Sequence, residues 1–220
     1  MSTLTLPAEP GLVHLLLHNR EAMDLTMADP AASTASLPGM IATSILGYAA
    51  FGAAHGYALT LLHPGQYPSL PYAIGGVTLA YGGAFFGAKF ASLPSAYFYA
   101  LLAGVRTHSL RLTVEAMRAQ ATQGVVLLGL VPVYFAAVLG IALADPEAGV
   151  PIEAIGWCLP FVAGLWGVGQ LYRALARIVK QGPDGARSAM PSLLVLAWTA
   201  LVALLAPMGT ARLLYTFFGG

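Results

Sequence analysis

Charged residues are scarce in this sequence. Asp, Glu, Lys and Arg make up 9% of its 220 residues, against roughly 25% in soluble domains, whereas 58% are hydrophobic. A chain with so little charge cannot cover a water-facing surface of its own, which excludes an ordinary soluble domain. The composition therefore predicts a polytopic membrane protein.

Three further features are missing. The net charge is +1, which leaves no basic surface for nucleic acid. The single cysteine, Cys158, cannot form an internal disulfide or supply a cysteine-based metal cluster. Residues 1–10 lack a basic start followed by an apolar core and a small-residue cleavage site, so we expect no removable signal peptide. We therefore expect no nucleic-acid partner, and we expect the first transmembrane helix to direct insertion.

Long apolar runs are what the sequence does contain. They predict a single transmembrane domain over residues 39–216, followed by a tail at 217–220. Its spans are expected at about 39–62, 71–104, 121–143, 154–172 and 190–208. The predicted fold is all-α, a polytopic transmembrane helical bundle of about five spans with amphipathic interfacial helices.

The second of these runs is too long for one straight crossing of roughly 30 Å of hydrocarbon. Residues 71–104 are therefore expected to be kinked or split at Pro94, or to continue along the interface. Either 71–92 or 83–104 makes the crossing, and both alternatives give one span.

The segment before the first span, residues 1–38, is expected on the cytoplasmic side. Residues 11–27 place apolar side chains on one side at helical spacing, opposite Arg20, Glu21 and Asp24. This pattern predicts a short interfacial helix. The stretch that follows it, ADPAASTASLP, is expected to be a linker.

Four glycines in the first two spans predict close helix packing. Gly52 and Gly56 form a G-x-x-x-G pattern in the first span, and Gly83 and Gly87 are assigned the same role in the second. Small residues let helix backbones approach each other where lipid provides no hydrophobic drive for association. We expect all four positions to be helix-packing faces.

Lys89 and His55 are the candidate functional residues inside the membrane. A lysine at mid-membrane costs about 2.5–3.5 kcal/mol, so Lys89 either snorkels to the nearer interface or faces inward to a partner. His55 has no second histidine at similar depth for a haem and is predicted to bond a neighbouring backbone group or hydroxyl. His14 and His18 are spaced for one helix face, but without a third ligand a solvated face is favoured over a metal site. We predict no metal and no cofactor.

Arginine and lysine concentrate in residues 105–119 and 173–188, whereas 63–70 and 144–153 contain none. The positive-inside rule places the two basic segments in the cytoplasm, with the N-terminus inside and the C-terminus outside. Six of these cations are expected to bind anionic lipid headgroups or a partner protein: Arg106, Arg111, Arg118, Arg173, Arg177 and Lys180.

Two proline-containing stretches, LPSAYFYALLAG at 93–104 and LVPVYF at 130–135, carry a family resemblance. The five-span layout of residues 39–216, with a cytoplasmic amphipathic N-terminus and a very short exterior C-terminus, resembles the Yip family of integral membrane proteins. The two stretches resemble small bacterial membrane proteins of that general type. The resemblance implies a scaffold or membrane-organising role through partners and no catalysis. It carries no residue role to this chain.

The expected function is that of a non-catalytic accessory or scaffold subunit of a larger membrane assembly, with lipid and other membrane-protein subunits as partners. The alternative is a component of a transporter or channel in which Lys89 and the break at Pro94 line the path. An enzyme is disfavoured because the sequence has no metalloprotease, nucleophile-elbow or phosphate-loop motif and no paired intramembrane carboxylates. The abundance of alanine and glycine suggests a bacterial inner membrane.

Overall fold

The structure is a computed structural model and describes residues 11–18, 20–102, 108–144, 149–180 and 190–218. Within these residues all regular secondary structure is helical. The helices are α1 (Leu12–Leu17), α2 (Arg20–Ala28), α3 (Pro30–Leu62), α4 (Leu70–Leu102), α5 (Ser109–Ala144), α6 (Gly149–Lys180) and α7 (Met190–Phe218).

Four of the described helical segments are long and apolar enough to cross a membrane: Pro30–Leu62, Ser109–Ala144, Val150–Arg177 and Leu196–Phe218. They lie in α3, α5, α6 and α7. The predicted span 71–104 corresponds to α4, which is as long as α3 at 33 residues. Its glycines, tyrosines and Lys89 lower its hydropathy, and it is not among the four.

The linker predicted before the first span is wrong, because most of that stretch belongs to α3. Asp29 caps the helix by accepting a hydrogen bond from the backbone N–H of Ala31 at 3.0 Å, and Pro30 occupies the first turn, where its missing N–H is not needed. Thr34 then donates from its hydroxyl to the carbonyl of Pro30 at 2.8 Å. The segment is helical because its polar side chains form hydrogen bonds with backbone groups in the first turn of α3.

Two other predicted boundaries also differ from the structure. The single interfacial helix predicted over 11–27 is two helices, α1 and α2, whose residues Leu16, Met23 and Met27 lie in one apolar cluster with Met40 and Met117. The run 71–104 is neither split nor ended at Pro94, since α4 continues through that residue to Leu102. The remaining predicted spans lie inside longer helices, because amphipathic residues extend each helix beyond its apolar run.

The five long helices form a ring. Helix α3 packs against α4 on one side and α5 on the other, α4 packs against α7, and α5 packs against α6. Contact between α6 and α7 closes the ring and is the least extensive of these contacts among the described residues. A seven-residue turn, 63–69, joins α3 to α4, and Gly65 supplies its positive φ of 86°.

Aromatic side chains fill the centre of the ring. Tyr48 stacks on Phe85 with ring centroids 5.2 Å apart, and Phe51 contacts Tyr134 at 5.5 Å. Such pairs contribute about 0.5–1.5 kcal/mol beyond their burial. Because α3, α4 and α5 each contribute to this cluster, the aromatic core holds the three helices at fixed rotations.

The four predicted packing glycines lie in different surroundings. A Cβ atom at Gly52 would lie 2.7 Å from the Cα of Thr78, and one at Gly56 would lie 2.8 Å from the Cα of Ile74, so α3 meets the α4 backbone at both positions. Gly83 meets only a side-chain atom of Leu213, at 3.2 Å. At Gly87 nothing lies within 4 Å, so this glycine does not serve a helix contact among the described residues.

We predict that Gly52→Ala and Gly87→Ala shift stability in opposite directions. The first substitution forces two backbones apart, and overpacking of this kind costs about 1–3 kcal/mol. The second places a methyl group in open space, where alanine is favoured over glycine in a helix by about 1 kcal/mol. Thermal unfolding of the purified protein in mild detergent measures both changes. Equal melting temperatures for the two variants would show that α3 and α4 do not meet at Gly52.

Candidate ligand site inside the helix bundle

A cavity of about 210 Å³ lies between α4, α5, α6 and α7. Its lining is mostly apolar, and the polar side chains that the described residues place on its wall are Lys89, Gln123 and Thr199, besides the indole of Trp198. The middle residue of α4 is Phe86. Lys89 is three residues further along the helix, a distance of about 4.5 Å parallel to the helix axis. The cavity therefore lies near mid-length of the bundle.

Lys89 is the charged residue of this cavity and is 7% exposed. Its Nζ donates a hydrogen bond to Oε1 of Gln123 at 3.0 Å, which is the one partner of Nζ in the described part of the chain. Of the two positions that the sequence allows for this lysine, the structure shows the inward one. A single neutral acceptor compensates only part of the cost of removing an ammonium group from water.

Gln123 is held in place by a backbone group of α6. Its Nε2 donates to the carbonyl oxygen of Pro160 at 2.7 Å, while Oε1 accepts from Lys89. Reversing the amide would set two donors against each other at Lys89 and two acceptors against each other at Pro160, so the network fixes its orientation. A Cβ atom at Gly164 would lie 3.3 Å from Nε2, so glycine leaves room for the amide there.

Thr199 and Trp198 bring α7 to the cavity. The Oγ1 of Thr199 is buried and has no hydrogen-bond partner within the described residues. The indole N–H of Trp198 donates to the carbonyl of Ser92 at 3.2 Å, and the hydroxyl of Ser92 donates to the carbonyl of Lys89 at 2.9 Å. These bonds connect α7 to the turn of α4 that carries the lysine.

The cavity opens beside α6 and α7 towards the outside of the ring. Phe161 and Leu165 line it and are 36% and 65% exposed, and Ala203 on α7 is also exposed. This is the side on which the ring has its least extensive helix contact. An apolar molecule on the outer surface of the bundle therefore has a short path to Lys89.

A second buried polar cluster surrounds His55. Its Nδ1 shares a 2.6 Å hydrogen bond with the hydroxyl of Tyr134, and its ring contacts Trp157 with centroids 4.6 Å apart. The Nε2 atom has no hydrogen-bond partner in the described ranges. Gly156 is required at this point, because any Cβ there would overlap the imidazole and the tyrosine hydroxyl. The histidine is thus enclosed by aromatic rings and bonded to a hydroxyl.

Helix α6 contributes a carbonyl group to the same region. Pro160 has no N–H, so the carbonyl of Gly156 loses its usual partner within the helix, and the hydroxyl of Tyr81 donates to it at 3.2 Å. Near the start of α6, Glu153 accepts a hydrogen bond from the Trp157 indole at 3.2 Å and pairs with Nε2 of His63 at 2.7 Å. Burial, and secondly the negative charge of Glu153, raise the pKa of Tyr67 in the adjoining turn.

At the opposite end of the bundle, Asp24 of α2 bridges two arginines. Its carboxylate oxygens lie 2.7 Å from Nη1 of Arg118 on α5 and 2.7 Å from Nη1 of Arg177 on α6. Glu115 lies 3.7 Å from the same arginine of α5. The Arg118 side chain is 3% exposed, so it is held in an internal ion pair and not on the surface that would meet lipid headgroups.

The other predicted lipid- or partner-binding cations are on the surface or outside the described residues. Arg111 is exposed, and Arg173 is exposed with its Nε donating to the carbonyl of Gly169 at 3.0 Å. Arg106 and the side chain of Lys180 lie outside what the structure describes. His14 and His18 stack at 5.3 Å, both exposed, and the described residues contain no group of three or more His, Cys, Asp or Glu side chains that could hold a metal ion.

Sequence reasoning missed Gln123, Thr199 and the bridging role of Asp24. An amide side chain in an apolar run is costly in lipid, so Gln123, three residues into the predicted third span, could have been recognised as a polar group facing another helix. Asp24 was placed on the polar side of an interfacial helix, and its two partners are 94 and 153 residues away along the chain. No local pattern reveals partners at such distances.

Comparisons of the chain with protein-family models, with curated proteins and with solved structures give no match. The resemblance to the Yip family stays a prediction.

We predict that Asp24→Asn loosens α2 from the bundle. The change removes the charge that pairs with Arg118 and Arg177, which should lower the stability by about 1–3 kcal/mol. Hydrogen–deuterium exchange in α2 should accelerate, and the melting temperature should fall. Glu21→Gln, an exposed change in the same helix, is the matched control. Equal exchange in α2 for both variants would show that the bridge does not hold the helix.

Proposed function

We propose that this chain is a non-catalytic integral membrane protein with five spans that binds a membrane-dissolved apolar molecule inside its helix bundle. The observation that carries the proposal is the cavity of about 210 Å³, which has a buried lysine on its wall and opens between α6 and α7. Pockets of this kind, mostly apolar with a few polar groups, are typical binding sites between the helices of bundles.

The fifth span in this proposal is α4. Helix α4 packs between α3 and α7, both of which contain candidate spans, so it lies at the same depth in the membrane. Its outer surface carries apolar side chains, with Leu79, Phe90 and Phe98 between 49% and 59% exposed, while Lys89 faces inward. An apolar exterior and an enclosed charge suit a helix that contacts lipid.

The proposed orientation follows from the charges. Five alternating spans put the N-terminus and the basic 105–119 segment on one side, and the uncharged turn 63–69 on the other. We propose that the basic side is cytoplasmic and that the membrane is the inner membrane of a bacterium. Anionic headgroups would then meet exposed cations such as Arg111 and Arg173.

The cavity favours the transport-related alternative over a role in scaffolding alone. Lys89 lines it, as the alternative requires, but Pro94 does not, and the proline on its wall is Pro160. A binding site near mid-depth would serve a protein that carries, senses or delivers a lipid-soluble molecule. The accessory or scaffold role predicted from the sequence stays a prediction.

The five-span topology predicts different labelling on the two sides of α4. In a Cys158→Ser background, we expect Gln66→Cys to react with an impermeant maleimide on intact cells and Leu110→Cys to react only after permeabilisation. Both positions are exposed, and α4 lies between them. Equal reaction on intact cells would show that α4 does not cross, and the opposite pattern would reverse the orientation.

If the cavity binds an apolar molecule, a larger side chain at its opening should prevent that binding. A photoreactive analogue of hexadecanol, added to protein in phosphatidylcholine vesicles, should label α6 and α7 in a way that excess hexadecanol suppresses. Ala203→Phe should remove most of this competable labelling, because Ala203 lines the cavity. Leu204→Phe, one residue further and 65% exposed, should label like wild type. Absence of competable labelling in wild type would refute the proposed function.

A further inference from the structure

We propose that the molecule bound in the cavity is a single-chain fatty acid, with its carboxyl group at Lys89 and its hydrocarbon chain leaving between α6 and α7. This inference rests on the proposed function, since it names the ligand class of the same cavity. It is supported by the charge of the wall, the number of free donors, the size of the cavity and its depth.

The charge of the wall favours an acid. Lys89 is the only charged side chain that lines the cavity among the described residues, and no carboxylate faces it there. Gln123 offers a neutral oxygen, which occupies one of the three donors of an ammonium group. A carboxylate would supply both the missing acceptor atoms and the opposite charge.

The number of free donors favours a carboxylate over a phosphate. The amide N–H of Gln123 is bound to Pro160, so the donors left at the wall are the remaining N–H groups of Lys89 and the hydroxyl of Thr199. These three donors suffice for the two oxygens of a carboxylate. A phosphate group carries three strong acceptor oxygens and about 1.5–2 negative charges, which usually require arginine or several cations.

The size of the cavity favours one chain that is only partly enclosed. A cavity of about 150 Å³ accommodates benzene, so a volume of about 210 Å³ accommodates a carboxyl group and a few methylene groups. The rest of a long chain must lie outside. Phe161, Leu165 and Ala203 provide an apolar path at the opening for that part of the chain.

The depth of the cavity separates a fatty acid from a phospholipid. The headgroup of a phospholipid stays about 15 Å from the bilayer centre, since the hydrocarbon is roughly 30 Å thick. A protonated fatty acid is neutral and its carboxyl group can move into the hydrocarbon. At the cavity it releases its O–H proton to the water phase, and the resulting carboxylate pairs with the ammonium group of Lys89. The bound pair is neutral as a whole, so an occupied cavity holds no net charge.

The test compares three photoreactive probes of equal chain length on the full-length protein in phosphatidylcholine vesicles: a palmitic acid analogue, a hexadecanol analogue and a lysophosphatidic acid analogue. We expect the acid to label the α6 and α7 lining of wild type about tenfold more efficiently than the alcohol, as expected for a charge-assisted hydrogen bond. The lysophosphatidic acid should label least. Preference for the phosphate probe would overturn the assignment of a carboxylate.

Variants locate the effect at the lysine. Lys89→Met should reduce acid labelling to the level of the alcohol, and competable alcohol labelling that persists in this variant reports that the cavity is intact. Lys89→Gln provides the same comparison if Lys89→Met fails to fold, and Thr199→Val should weaken acid labelling severalfold. Equal labelling by acid and alcohol in wild type refutes the fatty acid and leaves the proposed function standing. If no probe gives competable labelling of wild type, both the fatty acid assignment and the proposed function are refuted.

Discussion

Polar groups buried between these apolar helices have to find partners within the protein, because apolar side chains offer none, and the arrangement of the helices follows from that constraint. The chain from Lys89 through Gln123 to the carbonyl of Pro160 joins α4, α5 and α6 by two hydrogen bonds. The bond from Tyr81 to the carbonyl of Gly156 joins α4 to α6 a second time. Each of these bonds sets the rotation of a helix about its axis, which apolar packing alone specifies less strictly.

Proline and glycine on α6 make this network possible. Pro160 frees the carbonyl of Gly156 for Tyr81, and its own carbonyl accepts from Gln123. Gly156 and Gly164 leave space for the imidazole of His55 and the amide of Gln123. The residues that weaken a helix in isolation therefore provide the acceptors and the room that neighbouring helices need.

The sequence was sufficient to predict the helices and insufficient to predict their ends. Apolar runs mark each long helix, but a span of membrane thickness underestimates a helix that also includes amphipathic residues, as α5 does at its start from Ser109. The N-cap at Asp29 was present in the sequence and was overlooked, because its Pro-rich and Ser-rich surroundings also fit a linker.

Side-chain positions in the candidate site depend on contacts between distant parts of the chain. A lone lysine in an apolar run has two physically reasonable positions, and the acceptor that decides between them is 34 residues away. The hydroxyl that meets His55 is 79 residues away. Helical spacing places residues on one face of one helix, but it does not say which helix that face will meet.

In the described part of the chain, the contact between α6 and α7 is the least extensive in the ring, which makes this edge the place where two neighbouring helices can separate most easily. Close glycine contacts join α3 to its two neighbours at Gly52, Gly56 and Gly124 and join α6 to α5 at Gly167, and none among the described glycines joins α6 to α7. Under the proposed function, an acyl chain that enters there would separate α6 from α7, while α3, α4 and α5 would keep their backbone contacts with one another. The ring would then open along one edge only, and Lys89, which lies on α4, would keep its position relative to α3 and α5.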